Sequence, residues 1–188
     1  MVIPTRFDVL RSGRHPEVLV STGRFSEGLA SVIVKGSYGY INRQGELIIP
    51  AKFWRAQEFS EGLAWVVTTD AKTLVANKAG WIDKSGHWIV TEVRNKVALS
   101  AFPQLVTYAS DLLDWRYSEG LVPFFVHSGE RTLWGYMDRK GNVVIEEKPY
   151  NRVGRFFGGV AWVEIRDFGM EQDYGYIDKQ GRLIWRSR

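Results

Sequence analysis

Carboxylates recur at fixed places along this chain. Asp83, Asp138 and Asp178 each stand three residues before a glycine (Gly86, Gly141, Gly181), and Ser-Glu pairs recur at Ser26-Glu27, Ser60-Glu61 and Ser118-Glu119. Acids repeated in this way could serve general acid–base catalysis or hold calcium. A fourth copy points elsewhere. Asn42 stands three residues before Gly45 in the same context, and an obligatory acid would not be exchanged for an amide. Asx at the first position and Gly at the fourth mark a type I turn, in which the Asx oxygen accepts a turn amide. Glycine in the left-handed region then closes a hairpin through a bulge. Asn42, Gly45, Asp83, Gly86, Asp138, Gly141, Asp178 and Gly181 are therefore structural turn residues. The Ser-Glu pairs each precede a glycine that opens a strand, and loop hydrogen bonding accounts for them.

Other chemistry is sparse. The chain has no cysteine, which removes disulfide scaffolds, thiolate zinc sites and cysteine nucleophiles. His15, His87 and His127 form no local pair. There is no Gly-x-Ser-x-Gly, P-loop or dinucleotide fingerprint. The expectation is a non-enzymatic chain with no catalytic, cofactor-binding or metal residues. Its 25 Lys and Arg against 21 Asp and Glu leave a net +4. That charge is scattered, with small clusters at Arg11 and Arg14 and at Arg182, Arg186 and Arg188. A nucleic-acid binder concentrates its charge in a stripe, so no specific nucleic acid is expected. MVIPTRFDVLRSGR lacks the apolar core of a signal peptide, and no apolar stretch is long enough to span a bilayer as a helix. No membrane partner is expected, and the expected location is cytoplasmic.

The turns belong to a repeat. FSEGLASVIV begins at Phe25, FSEGLAWVVT at Phe59, YSEGLVPFFV at Tyr117, and a worn copy, FFGGVAWVEI, at Phe156. Each is followed by a hairpin block: YGYINRQGELII from Tyr38, AGWIDKSGHWIV from Ala79, WGYMDRKGNVVI from Trp134 and YGYIDKQGRLIW from Tyr174. Gly28, Gly62, Gly120 and Gly159 open runs of Leu, Ala, Val and Trp that read as a further strand. The 188 residues, with 8 Trp and 19 Gly, form one all-β domain of about four tandem antiparallel three-stranded units. These are expected to make a twisted array or partly closed barrel, since a propeller blade needs about four strands. Ile3-Pro4-Thr5-Arg6-Phe7 echoes Ile49-Pro50-Ala51-Lys52-Phe53. It either closes the array beside the last hairpin or marks a start in mid-repeat.

The pattern F-S-E-G-L-A followed by W-G-Y-I-D-K-x-G-x-x-V-I resembles the WG β-repeat family, mostly bacterial proteins. The resemblance covers about residues 25–68, 78–90, 117–150 and 156–185, although the WG pair itself survives only at Trp134-Gly135. It implies a β-repeat fold and an interaction role, with no shared catalytic residues.

The second and third units are separated by about 20 additional residues. This insertion, about 91–116, carries a short helix expected from Pro103 to about Trp115, with proline in its first turn. It acts as a plug over the sheet or as a binding surface. Trp65, Trp81, Trp134 and Trp162 occupy template positions and are expected in the core. Trp88 and Trp185 lie on hairpin return strands, while Trp54 and Trp115 have no aromatic counterpart. Trp54, Trp88, Tyr108, Asp111, Asp114 and Trp115 are the expected partner-binding residues. The expected function is a protein-binding module, an immunity protein that neutralises a secreted antibacterial toxin. The alternative is a carbohydrate- or small-ligand-binding domain that uses exposed tryptophans. The sequence does not set the oligomeric state.

Overall fold

The computed structural model describes residues 18–21, 23–70, 76–91, 114–128, 131–166 and 172–187. Among them there is no helix, and the chain folds as four antiparallel sheets. Unit 1 is β1 (Val18–Ser21), β2 (Leu29–Val34), β3 (Ser37–Asn42) and β4 (Leu47–Phe53). Unit 2 is β5 (Arg55–Ala56), β6 (Ala64–Thr69), β7 (Ala76–Ile82) and β8 (Trp88–Val90). Unit 3 is β9 (Leu121–Ser128), β10 (Arg131–Asp138) and β11 (Val143–Lys148). Unit 4 is β12 (Tyr150–Val153), β13 (Val160–Arg166), β14 (Gln172–Asp178) and β15 (Leu183–Arg186).

Three of the four units thus have four strands, one more than the repeat blocks predict. The extra strand is the connector itself. β4 ends at Phe53 and β5 begins at Arg55, so only Trp54 separates two sheets; Pro149 plays the same part between β11 and β12. These bends also rule out the partly closed barrel. Strands pair only within their own unit, and the sheets stay separate. The helix expected from Pro103 falls on residues outside the described ones, apart from Asp114 and Trp115, which are not helical. Residues 3–7 also lie outside them.

The predicted turns form as read. Gly45, Gly86, Gly141 and Gly181 donate their amides to the carbonyls of Asn42, Asp83, Asp138 and Asp178 at 2.9–3.0 Å. All four glycines have positive φ, 72–83°. Each Asx side-chain oxygen accepts two amides, from the second and fourth residues on. Where Asn42 replaces aspartate, its amide nitrogen donates to Glu46 at 2.7 Å, which absorbs the change.

The Ser-Glu-Gly-Leu turns are the tighter ones. Ser26 and Leu29, Ser60 and Leu63, and Ser118 and Leu121 exchange both backbone hydrogen bonds. This puts the two central residues, Glu and Gly, at positive φ. Glu27, Glu61 and Glu119 sit there at 51–53°, and the worn fourth copy places Gly158 at 62°. A left-handed glutamate is unfavourable for an L-residue, so the glutamates must be held there by what their side chains do.

Each holds the next unit. Glu27 accepts from the Gly62 amide at 3.0 Å, Glu61 from Gly120 at 3.0 Å and Glu119 from Gly159 at 3.1 Å. Ser26, Ser60 and Ser118 donate to the carbonyls of Phe59, Tyr117 and Phe156 at 2.6–2.7 Å. A cation from the next unit's hairpin completes the clamp. Lys84 reaches Glu27 at 3.1 Å and Lys179 reaches Glu119 at 3.0 Å, while Arg139 donates to the Glu61 carbonyl.

Aromatic rings fill the space between sheets. Tyr40 meets Phe59 edge-on at 4.9 Å, Trp81 meets Tyr117 at 5.4 Å and Tyr136 meets Phe156 at 4.9 Å. The polar end of each first ring donates to the incoming connector: Tyr40 to the Gln57 carbonyl, Trp81 to that of Trp115 and Tyr136 to that of Gly154, at 2.7–2.8 Å. Burial raises the tyrosine pKa values well above normal, so both hydroxyls remain donors. Each preceding glycine clears the space behind the ring: a Cβ on Gly39 or Gly135 would lie 2.7 or 2.6 Å from the carbonyl of Ile49 or Ile145.

Gly86→Val should cost about 1–3 kcal/mol in chemical denaturation, because a β-branched residue resists positive φ and its Cβ would press on Ile49, 3.1 Å away. Asp138→Asn should change stability by less than about 0.5 kcal/mol. The Lys179 hydrogen bond and the Gly159 amide hold the Glu119 carboxyl below its ordinary pKa. Its contribution is therefore present above the ordinary carboxylate range and lost as pH falls through it. Glu119→Gln should melt below wild type at neutral pH, with the difference closing in acid.

Candidate functional site

The described residues contain no group of three or more His, Asp or Glu side chains able to hold a metal ion. The recurring carboxylates are taken up by the turns and clamps, and the open features of the fold are its surfaces. The expected partner residues are scattered. Tyr108 and Asp111 lie outside the described residues. Trp115 is 4 % exposed. Its ring stacks on Trp65 at 5.0 Å, meets Trp81 at 6.3 Å and Phe125 at 5.9 Å. It occupies the place that Gln57 and Gly154 hold at the other unit junctions, and the ring is core. Among the described residues, the indole N–H groups of Trp65, Trp115 and Trp134 are buried without an acceptor. Close aromatic packing is what offsets that cost.

Asp114 is tied up internally. It pairs with Arg116 and Arg155, each at 2.6 Å, and Arg116 also reaches Glu58 at 3.0 Å. Burial alone would raise its pKa; the Arg116 hydrogen bond and charge, with Arg155, outweigh it and hold the carboxyl below its ordinary value. This network links the connector of unit 2 to those of units 3 and 4. Trp54 packs against the core between units 2 and 3, with the Arg55 guanidinium 4.3 Å over its ring. Trp88 lies half-buried against Phe53, with Lys78 4.4 Å above it. Neither ring presents two open faces.

Two other surfaces are apolar and open. The first is a stripe along one side of the array. Ile48, Ile89, Val144 and Ile184 hold the same position of β4, β8, β11 and β15, and all are 44–55 % exposed. These four strands are the outermost of their sheets, so the stripe gains one aliphatic side chain per unit.

The second is the outer face of unit 4. In units 1 to 3 the equivalent face is buried by the sheet that follows, through Tyr40 and Ile49, Trp65, Trp81 and Val90, and Tyr136 and Ile145. In unit 4, Trp162 pairs with Tyr176 and Tyr176 with Trp185 across three neighbouring strands. They are 39 %, 44 % and 53 % exposed. Trp162 was expected in the core because it matches Trp65. The residue type is the same, but no following sheet covers it. Phe157, 87 % exposed, stands where the other units have serine.

The expected binding residues lie on the insertion, at the Trp54 connector and on the return strand at Trp88, and they include no residue of either surface. The stripe could have been found from its fixed place in the hairpin block. The end face could have been found from the loss of Ser and Glu at Phe157-Gly158.

No helix among the described residues is long and apolar enough to cross a membrane. No curated protein matches the sequence. A solved structure titled "Crystal structure of the eukaryotic initiation factor" superposes with a TM-score of 0.55 at 9 % identity, over 90 % of this chain and 43 % of that one. At such identity the likeness concerns the fold alone, and this chain spans less than half of the other. The family model for the WG containing repeat matches residues 38–70 and 134–167. Each match takes in a hairpin block and the next unit's Ser-Glu-Gly turn or its worn form, the pieces on which every unit here is built; these two stretches carry the WG containing repeat.

Proposed function

We propose that this chain is a non-enzymatic protein-binding module that grips its partner along the aliphatic stripe. The observation that carries this reading is the recurrence of Ile48, Ile89, Val144 and Ile184 at one position of four outermost strands, each about half exposed. Scattered exposed apolar residues need no explanation, but a periodic row on a rigid array does. Successive sheets pack about 10 Å apart, so the row spans a length suited to a protein surface rather than a small molecule. The recurring carboxylates serve turns and clamps, so their repetition is no argument for catalysis. For the partner we favour a secreted antibacterial toxin that this small protein neutralises by covering its working surface. The carbohydrate-binding alternative has less support, since Trp115 is buried and Trp54 and Trp88 each carry a cation on one face.

The test is co-expression with toxins encoded beside the gene. Rescue of growth is expected with the wild type. An Ile89→Glu, Val144→Glu double variant should keep its melting temperature within a few degrees, since both side chains are already half in water, yet lose at least about tenfold in affinity. Rescue by the double variant at full strength would remove the stripe from the binding surface, and no rescue by the wild type would remove the toxin reading.

A further inference from the structure

We propose that two copies of this chain associate face to face through the outer sheet face of unit 4, with two-fold symmetry. The face is built by Trp162, Tyr176 and Trp185, side by side on β13, β14 and β15, with Tyr174 two residues along β14. Tyr176 and Trp185 lie 5.9 Å apart, and Glu164 beside them is buried and bonded to Asn151 at 2.7 Å. The other carboxylate oxygen of Glu164 faces the Arg152 guanidinium at 3.9 Å, so the buried charge has a cation beside it.

Three observations select the occupant. The face is continuous with the junctions already described: the same positions in units 1 to 3 are closed by another sheet, so this one has the shape of a junction without its second half. A further unit of the same kind is not what the face is built for. Phe157 and Gly158 replace the serine hydroxyl and glutamate carboxylate that clamp every following unit. A head-to-tail copy would need the inner face of unit 1. There Ala30, Val32 and Ile41 are already 0–6 % exposed. The matching aromatic surface that a second copy offers is its own equivalent face, which is the isologous arrangement.

The size and edges of the face agree. The four aromatic side chains leave on the order of 500 Å² exposed per copy, or about 1,000 Å² for the pair, where specific interfaces begin. Aromatic residues are the type enriched at such surfaces. The edge carries both signs of charge, with Arg186 bonded to Asp173 at 3.0 Å and Arg182 to Asp178 at 2.7 Å. A two-fold rotation can therefore place opposite signs near one another.

Sedimentation velocity and light scattering of the purified full chain from about 1 to about 200 µM test this directly. A reversible dimer is expected. Trp185→Glu and Tyr176→Glu should each weaken it at least about tenfold, while Ile89→Glu, on the stripe, should leave it intact. If the glutamate variants fail to fold by circular dichroism, Tyr176→Cys supplies the second measurement. The chain has no cysteine of its own, so a short bis-maleimide should link this variant into a dimer and leave Ile89→Cys unlinked. A wild type that stays monomeric throughout, a dimer that survives the glutamate variants, a Tyr176→Cys chain that does not link, or open-ended growth with concentration would each overturn the proposal. The result is independent of toxin rescue, which reads the stripe.

Discussion

The stack rests on one recurring arrangement: a left-handed glutamate whose carboxylate reaches forward to the glycine amide of the next turn. Glu27, Glu61 and Glu119 all have φ near 50°, a conformation glutamate adopts at a cost. The cost is offset across the junction, where the carboxylate meets an amide and, at Glu27 and Glu119, a lysine. A strained local conformation is thereby exchanged for a contact between units. Gly158 shows the reverse case. There Phe157 replaces the serine as well, and the position carries the residue that takes this conformation freely.

The aromatic pairs and the clamp divide the work at each junction. The edge-on rings exclude water over the centre of the sheets, and their hydroxyl or indole donors fix the height of the incoming connector. The clamp sets the lateral position at one end of the strands. Each unit touches mainly its neighbours, so stability approaches a sum of unit and junction contributions. Within the described array, units 1 and 4 each have a junction with another sheet on one side only.

The turn residues were legible in the sequence because their chemistry is local. An Asx and a glycine three residues later define their own hydrogen bonds, and the Asn42 exception confirmed that no acid was needed. The connector strand that opens units 1, 2 and 4 was not legible. Arg55-Ala56 is too short to show alternation, and only pairing with Val66 and Val67 makes it a strand. The tryptophans show the limit most clearly. Trp65 and Trp162 have the same place in the repeat, yet one is 2 % exposed and the other 39 %. Trp115, in a stretch read as an insertion, is a core ring because it serves as the connector of unit 3. Burial here depends on what stacks on a unit, which no window of sequence around the residue contains.

The single-residue bend at Trp54 has a consequence for how such arrays change over evolutionary time. The bend lies at the end of the strands opposite the Ser-Glu-Gly and Asx turns, as do the connections between β2 and β3, β6 and β7, β9 and β10, and β13 and β14. Those loops range from the two residues Lys35-Gly36 to longer stretches. A change in their length touches neither clamp nor ring pair. Insertions at that end are mechanically neutral, whereas one residue added at the other end would break the spacing on which a whole neighbouring sheet is hung.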